Sequence, residues 1–302
     1  MSTSYHVAVI GLGAMGMGAA RSCLRAGLTT YGIDLSEQAR SQLQQAGAAA
    51  VMADARPLAE TLDAVLLLVV NATQVRRILL GEEGLARHLK PGTAIMVSST
   101  IAAEEASALA AELAQLGLPM LDAPVSGGAI KADAGEMTVM AAGSDAAFDK
   151  LAPVLDAVSG KLYRVGSEPG QGSTVKIIHQ LLAGVHIAVA AEAMALASRA
   201  GVSLDLMYDV VTHAAGNSWM FENRMPRVLA GDYQARSAVD IFVKDLTLVA
   251  DTAKALRFPL PLASTALNMF LDASNAGHGQ EDDSAVIKTF SGITLPGQED
   301  QP

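Results

Sequence analysis

The stretch Val7-Ala8-Val9-Ile10-Gly11-Leu12-Gly13-Ala14-Met15-Gly16 decides the fold. Four consecutive apolar residues read as a strand buried on both faces, and Met15–Arg25 has the apolar spacing of a helix. The six residues between and across them spell G-x-G-x-x-G. In a strand–loop–helix context Gly11 permits the tight turn, Gly13 leaves room for a pyrophosphate, and Gly16 lets helix and strand pack closely. The exposed amides of Gly11, Leu12, Gly13, Ala14, Met15 and Gly16 at a helix start then favour anionic phosphates. The glycines alone suit a flavin or S-adenosylmethionine site as well.

Working outward, Asp34 ends the second apolar run, Thr29–Ile33, at the distance where an acid can accept hydrogen bonds from both adenosine ribose hydroxyls. A carboxylate there repels a 2′-phosphate, and no arginine follows in Leu35-Ser36-Glu37, so the expected cofactor is NAD. The bland alternative for Asp34 is a cap on the next helix. Further strands are expected at Ala64–Val70, Ala94–Ser98, Met120–Val125, Thr138–Ala142 and Lys161–Val165. Helices are expected between them at Ser36–Ala46, Thr73–Leu80, Ala103–Leu116 and Ala146–Val158. Strand and helix in alternation predict an α/β fold, an N-terminal Rossmann doubly wound sheet over residues 1–165. After Gly166-Ser167-Glu168-Pro169-Gly170 the rhythm changes. One long helical segment, Ser173–Arg199, is followed by helices at Leu204–Ala214, Ala238–Leu256, Leu262–Ala273 and Ser284–Phe290. Residues 166–302 are therefore expected to form an all-helical C-terminal domain, with the tail from Pro296 frayed.

Composition narrows the function class. The chain has 302 residues, 21 basic against 31 acidic, for a formal charge of −10. The acidic excess is spread along both halves, which argues against nucleic acid as a partner. The run Ile177–Ala191 is interrupted by His179, Gln180 and His186 and bounded by Lys176 and Glu192, so no membrane span is expected. A single cysteine, Cys23, excludes a disulfide framework, and the N-terminus has no basic leader, which together point to the cytoplasm. His179 and His186 lack a third ligand at metal-binding spacing, so no metal is expected. Aromatics are only 4%, and much of the aliphatic excess lies in Ser173–Arg199. So much apolar surface on one helix predicts burial against a second copy of the chain, as a homodimer or homotetramer.

Two further clusters carry chemistry. Asp122-Ala123-Pro124-Val125-Ser126-Gly127-Gly128 follows the carboxyl end of a strand, where open α/β sheets bind ligands. Ser126 offers a hydroxyl there, and Gly127 and Gly128 offer unobstructed amides to a carboxylate. Lys176 opens the long helix after Gly170-Gln171-Gly172, with Gln180 one turn on along the same face. The ordinary reading of such a lysine is a snorkelling side chain.

These motifs together resemble the β-hydroxyacid dehydrogenases, the family of 3-hydroxyisobutyrate and tartronate-semialdehyde reductases. Four ordered stretches carry the likeness: Gly11–Gly16; Asp122–Gly128 continuing to Met140; Gly172 with Lys176; and Lys244-Asp245-Leu246. The resemblance implies Lys176 as the catalytic lysine and Ser126, Gly127 and Gly128 as holders of the substrate carboxylate. It places Thr100, Val69, Val70 and Lys244 at the cofactor, although an ion pair with Asp240 or Asp245 would also account for Lys244. A lysine whose pKa falls through burial and a nearby positive ring can take a hydroxyl proton; an arginine cannot.

One position departs from the family. Asparagine usually stands four residues after the catalytic lysine, and here it is Gln180, which implies a different substrate pose. The segment Lys176–His186 resembles the branch that acts on four-carbon sugar acids, with oxidation at C2 to a 2-oxo acid. Asn217 and Ser218 could bond the extra hydroxyls of such a small anionic hydroxy acid. A catalytically silent NAD-binding module and an imine reductase of similar architecture remain as alternatives, although the first would be expected to lose the lysine.

Overall fold

The computed structural model describes residues 4–296. The tail expected to fray, residues 296–302, lies outside the described residues apart from Pro296. By packing, the chain divides into two compact units between Lys176 and Ile177, inside the long helix.

The first unit is built on a nine-stranded sheet. Its strands are β1 (His6–Ile10), β2 (Thr29–Ile33), β3 (Ala50–Met52), β4 (Ala64–Leu67), β5 (Ala94–Val97), β6 (Met120–Asp122), β7 (Val125–Ser126), β8 (Met137–Ala142) and β9 (Ser159–Gly166). The order is β3-β2-β1-β4-β5-β6-β8-β7, with β9 also paired to β8. From β3 to β6 every pairing is parallel. The connecting helices are α1 (Ala14–Arg25), α2 (Glu37–Gln45), α3 (Ala72–Leu80), α4 (Ala103–Gln115), α5 (Gly128–Ala134) and α6 (Asp145–Val158). Val7 and Val9 bury in one apolar cluster while Ala8 and Ile10 bury in another, so each face of the sheet carries its own core. The strand order reverses at β1, between β2 and β4, and that reversal opens the crevice where such sheets bind ligands.

Several elements differ from expectation. β4 ends at Leu67, not Val70. Beyond it Val69 N–H donates to Ser99 Oγ and Val70 N–H to Gln74 Oε1, side-chain bonds that replace the strand ladder. The strand expected over Met120–Val125 is two, β6 and β7, and both pair antiparallel with β8. The three-residue β3 and the seven-residue α5 are additions.

In the second unit α7 (Gln171–Arg199), which begins in the first, is followed by α8 (Leu204–Thr212), α9 (Trp219–Leu229), α10 (Val239–Ala255) and α11 (Pro261–Ala273). A 3-10 segment, Asp283–Thr289, stands where an α-helix was expected. The unit has a single core, in which Ile187, Met194, Met225, Phe242 and Phe270 are buried. By length and composition alone α7 is apolar enough to cross a membrane, with a mean hydropathy of 1.7 over its best window, despite the polar interruptions at His179, Gln180 and His186. Half of that window is buried within the protein, as in a core helix. Helix α9 is the largest element absent from the expectations. It sets Asn217 and Ser218 at a helix start, with Ser218 Oγ accepting from Phe221 N–H as the cap.

Candidate active site

The glycine loop behaves as its residue types require. Gly11 has φ +91°, and a Cβ there would press on the Leu68 carbonyl oxygen at 2.6 Å. A Cβ on Gly16 would run into the Gly11 carbonyl oxygen, so that glycine sets the approach of α1 to β1. Gly13 is different: nothing lies within 4 Å of where its Cβ would be. It is the N-cap of α1, with no side chain capping the helix and no acid in its first turn. The first amides of α1 therefore face open space with the positive end of the helix dipole behind them. An open pocket beside them is lined by Leu12, Gly13, Ala14, Met17, Arg21 and Gln42.

Asp34 follows β2 and faces the loop. Its Oδ2 accepts from Leu12 N–H at 2.7 Å and its Oδ1 from Ser36 N–H at 2.7 Å. The helix cap is Ser36, whose hydroxyl accepts from Ala39 N–H, so the capping alternative for Asp34 falls away. Arg40 was not anticipated. Its guanidinium donates to the carbonyl oxygens of Asp34 and Leu35, fixing the backbone that carries the carboxylate. A carboxylate tied to the glycine loop and uncapped amides over open space fit a dinucleotide with its ribose on Asp34 and its phosphates on the loop.

At the far side of β4 the cluster is Val69, half-buried, Val70, 47% exposed, and Thr100 after β5. Ser126 lies in β7, paired with Thr138 of β8. Gly127 and Gly128 come next with φ of +135° and +73°, backbone that side-chain-bearing residues rarely adopt. They turn the chain out of the sheet and into α5.

Asp122, fully buried at the end of β6, does something the sequence did not disclose. Its Oδ2 accepts from the backbone N–H of Gly170 and of Ser173, both at 2.8 Å, and its Oδ1 accepts from the Ser173 hydroxyl at 2.7 Å. It thereby caps α7 from a distant strand. Gly172 completes the junction, since a Cβ there would strike the carbonyl oxygens of Asp122 and Met140. Burial pushes the Asp122 carboxyl above its ordinary value, outweighing the hydrogen bonds from Ser173 and Gly170. Lys176 sits one turn later, 6% exposed, on a helix start pinned to the sheet.

The second unit holds its own polar cluster. Gln180 Nε2 donates to Asp245 Oδ2 at 2.5 Å, and Lys244 Nζ lies 2.7 Å from Asp245 Oδ1. The ion pair weighed for Lys244 is thus formed, with Asp245. Asn217 Nδ2 donates to Glu222 Oε1 at 2.6 Å, leaving its buried Oδ1 without a partner among the described residues. His179 contacts Gln180, and no group of three or more potential metal-ligating His, Cys, Asp or Glu residues occurs among the described residues. Cys23 is buried, its thiol pushed up to about 12 by burial, and inert.

Known proteins share this plan. The NAD binding domain of 6-phosphogluconate dehydrogenase matches residues 6–166, and the NAD-binding domain of NADP-dependent 3-hydroxyisobutyrate dehydrogenase matches residues 170–290. A protein of Escherichia coli O6:H1 named L-threonate dehydrogenase is 72% identical, over 98% of both chains. One of the same name from Cupriavidus necator is 55% identical, over 98% of this chain and 99% of its own. A crystal structure from Salmonella typhimurium, described as 3-hydroxyisobutyrate dehydrogenase, is 69% identical with a TM-score of 0.92, covering 95% of this chain and all of that one. Both halves of the likeness agree with a carboxylate-anchored nucleotide loop and a buried lysine: this chain belongs to the β-hydroxyacid dehydrogenases, NAD-dependent oxidoreductases of hydroxy acids.

Proposed function

We propose that this protein oxidises L-threonate at C2, giving the 2-oxo acid 2-dehydro-L-erythronate, with Lys176 as the general base. The observation that carries the reading is the 55–72% identity, over nearly whole chains, to proteins named L-threonate dehydrogenase. Asn217 supports it: a buried carbonyl oxygen without a donor suits a substrate rich in hydroxyls.

The chemistry NAD supplies when bound is acceptance of a hydride at its nicotinamide ring. Everything else falls to the chain. Gly11, Leu12, Gly13, Ala14, Met15 and Gly16 hold the phosphates and Asp34 the adenosine ribose, while Val69, Val70, Thr100 and Lys244 line the cofactor. Ser126, Gly127 and Gly128 take the substrate carboxylate, which fixes the carbon presented for reaction. Gln180, Asn217 and Ser218 bond its hydroxyls; the Ser218 hydroxyl accepts from Phe221 N–H and still has its own hydrogen to give. Lys176 Nζ takes the C2 hydroxyl proton, and in the reverse direction its ammonium returns one.

The same reading makes the 1–165 region the cofactor-binding part and 166–302 the substrate and assembly part. Val175, Ile178, Leu182, Val189 and Leu196 are exposed along α7, and such a stripe favours a homodimer or homotetramer. A small anionic hydroxy acid, rather than a nucleic acid or a membrane, is the partner, and the cytoplasm, which holds the NAD pool, is the compartment.

The test is NADH appearance on L-threonate, D-erythronate, D-glycerate and 3-hydroxyisobutyrate, the last because of the Salmonella typhimurium relative. L-threonate should give the highest kcat/KM. Lys176→Ala should lower kcat by about a thousandfold while leaving NADH affinity within about twofold. Faster turnover of 3-hydroxyisobutyrate would replace the substrate, and normal turnover without Lys176 would remove the base.

A further inference from the structure

Neighbouring positions on a helix point about 100° apart and do not ordinarily meet. In α7 the side chains of His179 and Gln180 nevertheless bond, with His179 Nδ1 2.9 Å from Gln180 Oε1. The other end of the amide is also engaged, Nε2 donating to Asp245 Oδ2. Gln180 is 7% exposed and Asp245 2%, so water is a poor substitute for either bond. An amide oxygen only accepts, so Nδ1 carries the hydrogen, as it can in the neutral ring and does in the charged one.

Turning the amide over would set Oε1 against the Asp245 carboxylate and Nε2 against the imidazole N–H. The Asp245 carboxylate, which only accepts, therefore selects the orientation, and the ring answers it with the tautomer that carries the hydrogen on Nδ1. The anchor is itself held, since the second oxygen of Asp245 faces Lys244 Nζ. Chain length matters as well: an asparagine at position 180 would withdraw the head by roughly 1.5 Å, one carbon–carbon bond. Bonded in this way, the amide has one hydrogen on Nε2 not used by either contact.

We propose that His179 is a positioning residue, whose Nδ1–H holds the Gln180 amide so that the second N–H of Nε2 meets the hydroxy acid. The inference rests on the reading of Gln180 as a substrate ligand. It assigns His179 a part in substrate recognition through its neighbour, without contact with the substrate.

His179→Phe keeps an aromatic ring, somewhat larger, and removes the donor, whereas His179→Asn places an amide N–H where Nδ1 stands. With L-threonate as substrate, His179→Phe should raise its KM roughly five- to tenfold, the loss of one buried hydrogen bond, and leave the KM for NAD unchanged. His179→Asn should return the KM to within about twofold of the parent. In a Gln180→Ala background the His179→Phe change should add nothing. If His179→Phe does not fold, His179→Ala replaces it in the same assay. An unchanged KM in His179→Phe, equal impairment in His179→Asn, or additive effects with Gln180→Ala would overturn the role of His179. A parental KM in Gln180→Ala would overturn the reading of Gln180 itself, and the inference with it.

Discussion

The two units carry their polar groups in opposite ways. In the first, the nucleotide loop is backbone: amides exposed because Gly11 and Gly16 leave room for the turn and Gly13 leaves the space above it open. In the second, polarity is carried by buried side chains bonded to each other. Arg224 is bidentate on Asp283, Arg227 pairs with Asp282, and Asp245 joins Gln180 to Lys244. Among the described residues the buried charged side chains of the first unit are Asp122 and Lys176, whereas the second has Arg224, Asp245, Asp282 and Asp283. A backbone site fails when an atom is added to it, and a side-chain site when a partner is taken away.

That contrast can be broken in three places. The largest effect should come from Arg224→Met, which strands the fully buried Asp283 carboxylate and should cost about 3–5 kcal/mol in denaturant unfolding. Arg21→Met, removing an exposed pair with Asp133, should cost no more than about 1 kcal/mol. Equal losses would mean that burial does not separate the two kinds of pair. Next come the glycines. Gly16→Ala should destabilise the protein by about 1–3 kcal/mol, because its Cβ meets backbone. Gly13→Ala, at an ordinary φ of −65° with open space, should leave stability within about 0.5 kcal/mol and weaken NADH binding in a fluorescence titration. Tight NADH binding by Gly13→Ala would show that the open space over the loop is not the phosphate seat.

The smallest effect concerns Asp122, the first unit's buried acid. Its folded pKa lies above the ordinary 3.8, so the folded protein keeps a proton that the unfolded chain has released. The stability this contributes is full below the unfolded value and lost as pH rises through the folded one. Asp122→Asn should therefore gain stability relative to the parent across that window, read as the difference between two unfolding curves against pH. A difference that stays flat would place the Asp122 pKa at its ordinary value.

Legibility divides along the same contrast. The alternation of apolar strands with helices and the glycine spacing are written in residue types, and β1, β2, α1 and the reversal of strand order at β1 derive from them. Helix α9 was hidden because Arg224, Arg227 and Pro226 break its apolar pattern. Arg224 is buried and Arg227 half-buried because Asp283 and Asp282, more than fifty residues on, neutralise them. The capping of α7 by Asp122 spans a similar distance, and the residues give no local sign of it. Asn217 and Ser218 stood out by type, but their place at a helix start depended on seeing α9. Gln180 was legible as a departure from its family, while the reason for its length needed Asp245.

The junction at Asp122 also bears on how this protein can be recombined with its relatives. A chimaera joined at residue 166 would take residue 172 from the second parent, and anything but the family's glycine there would collide with the carbonyl oxygens of Asp122 and Met140. It would also meet Asp122 with whatever replaced Ser173. A crossover after Lys176 keeps carboxylate, glycine, serine and lysine from one parent. With Gln180, Asn217 and Ser218 as the proposed contacts to the substrate hydroxyls, trading the chain from Ile177 onward should exchange substrate preference, with the lysine's footing inherited whole.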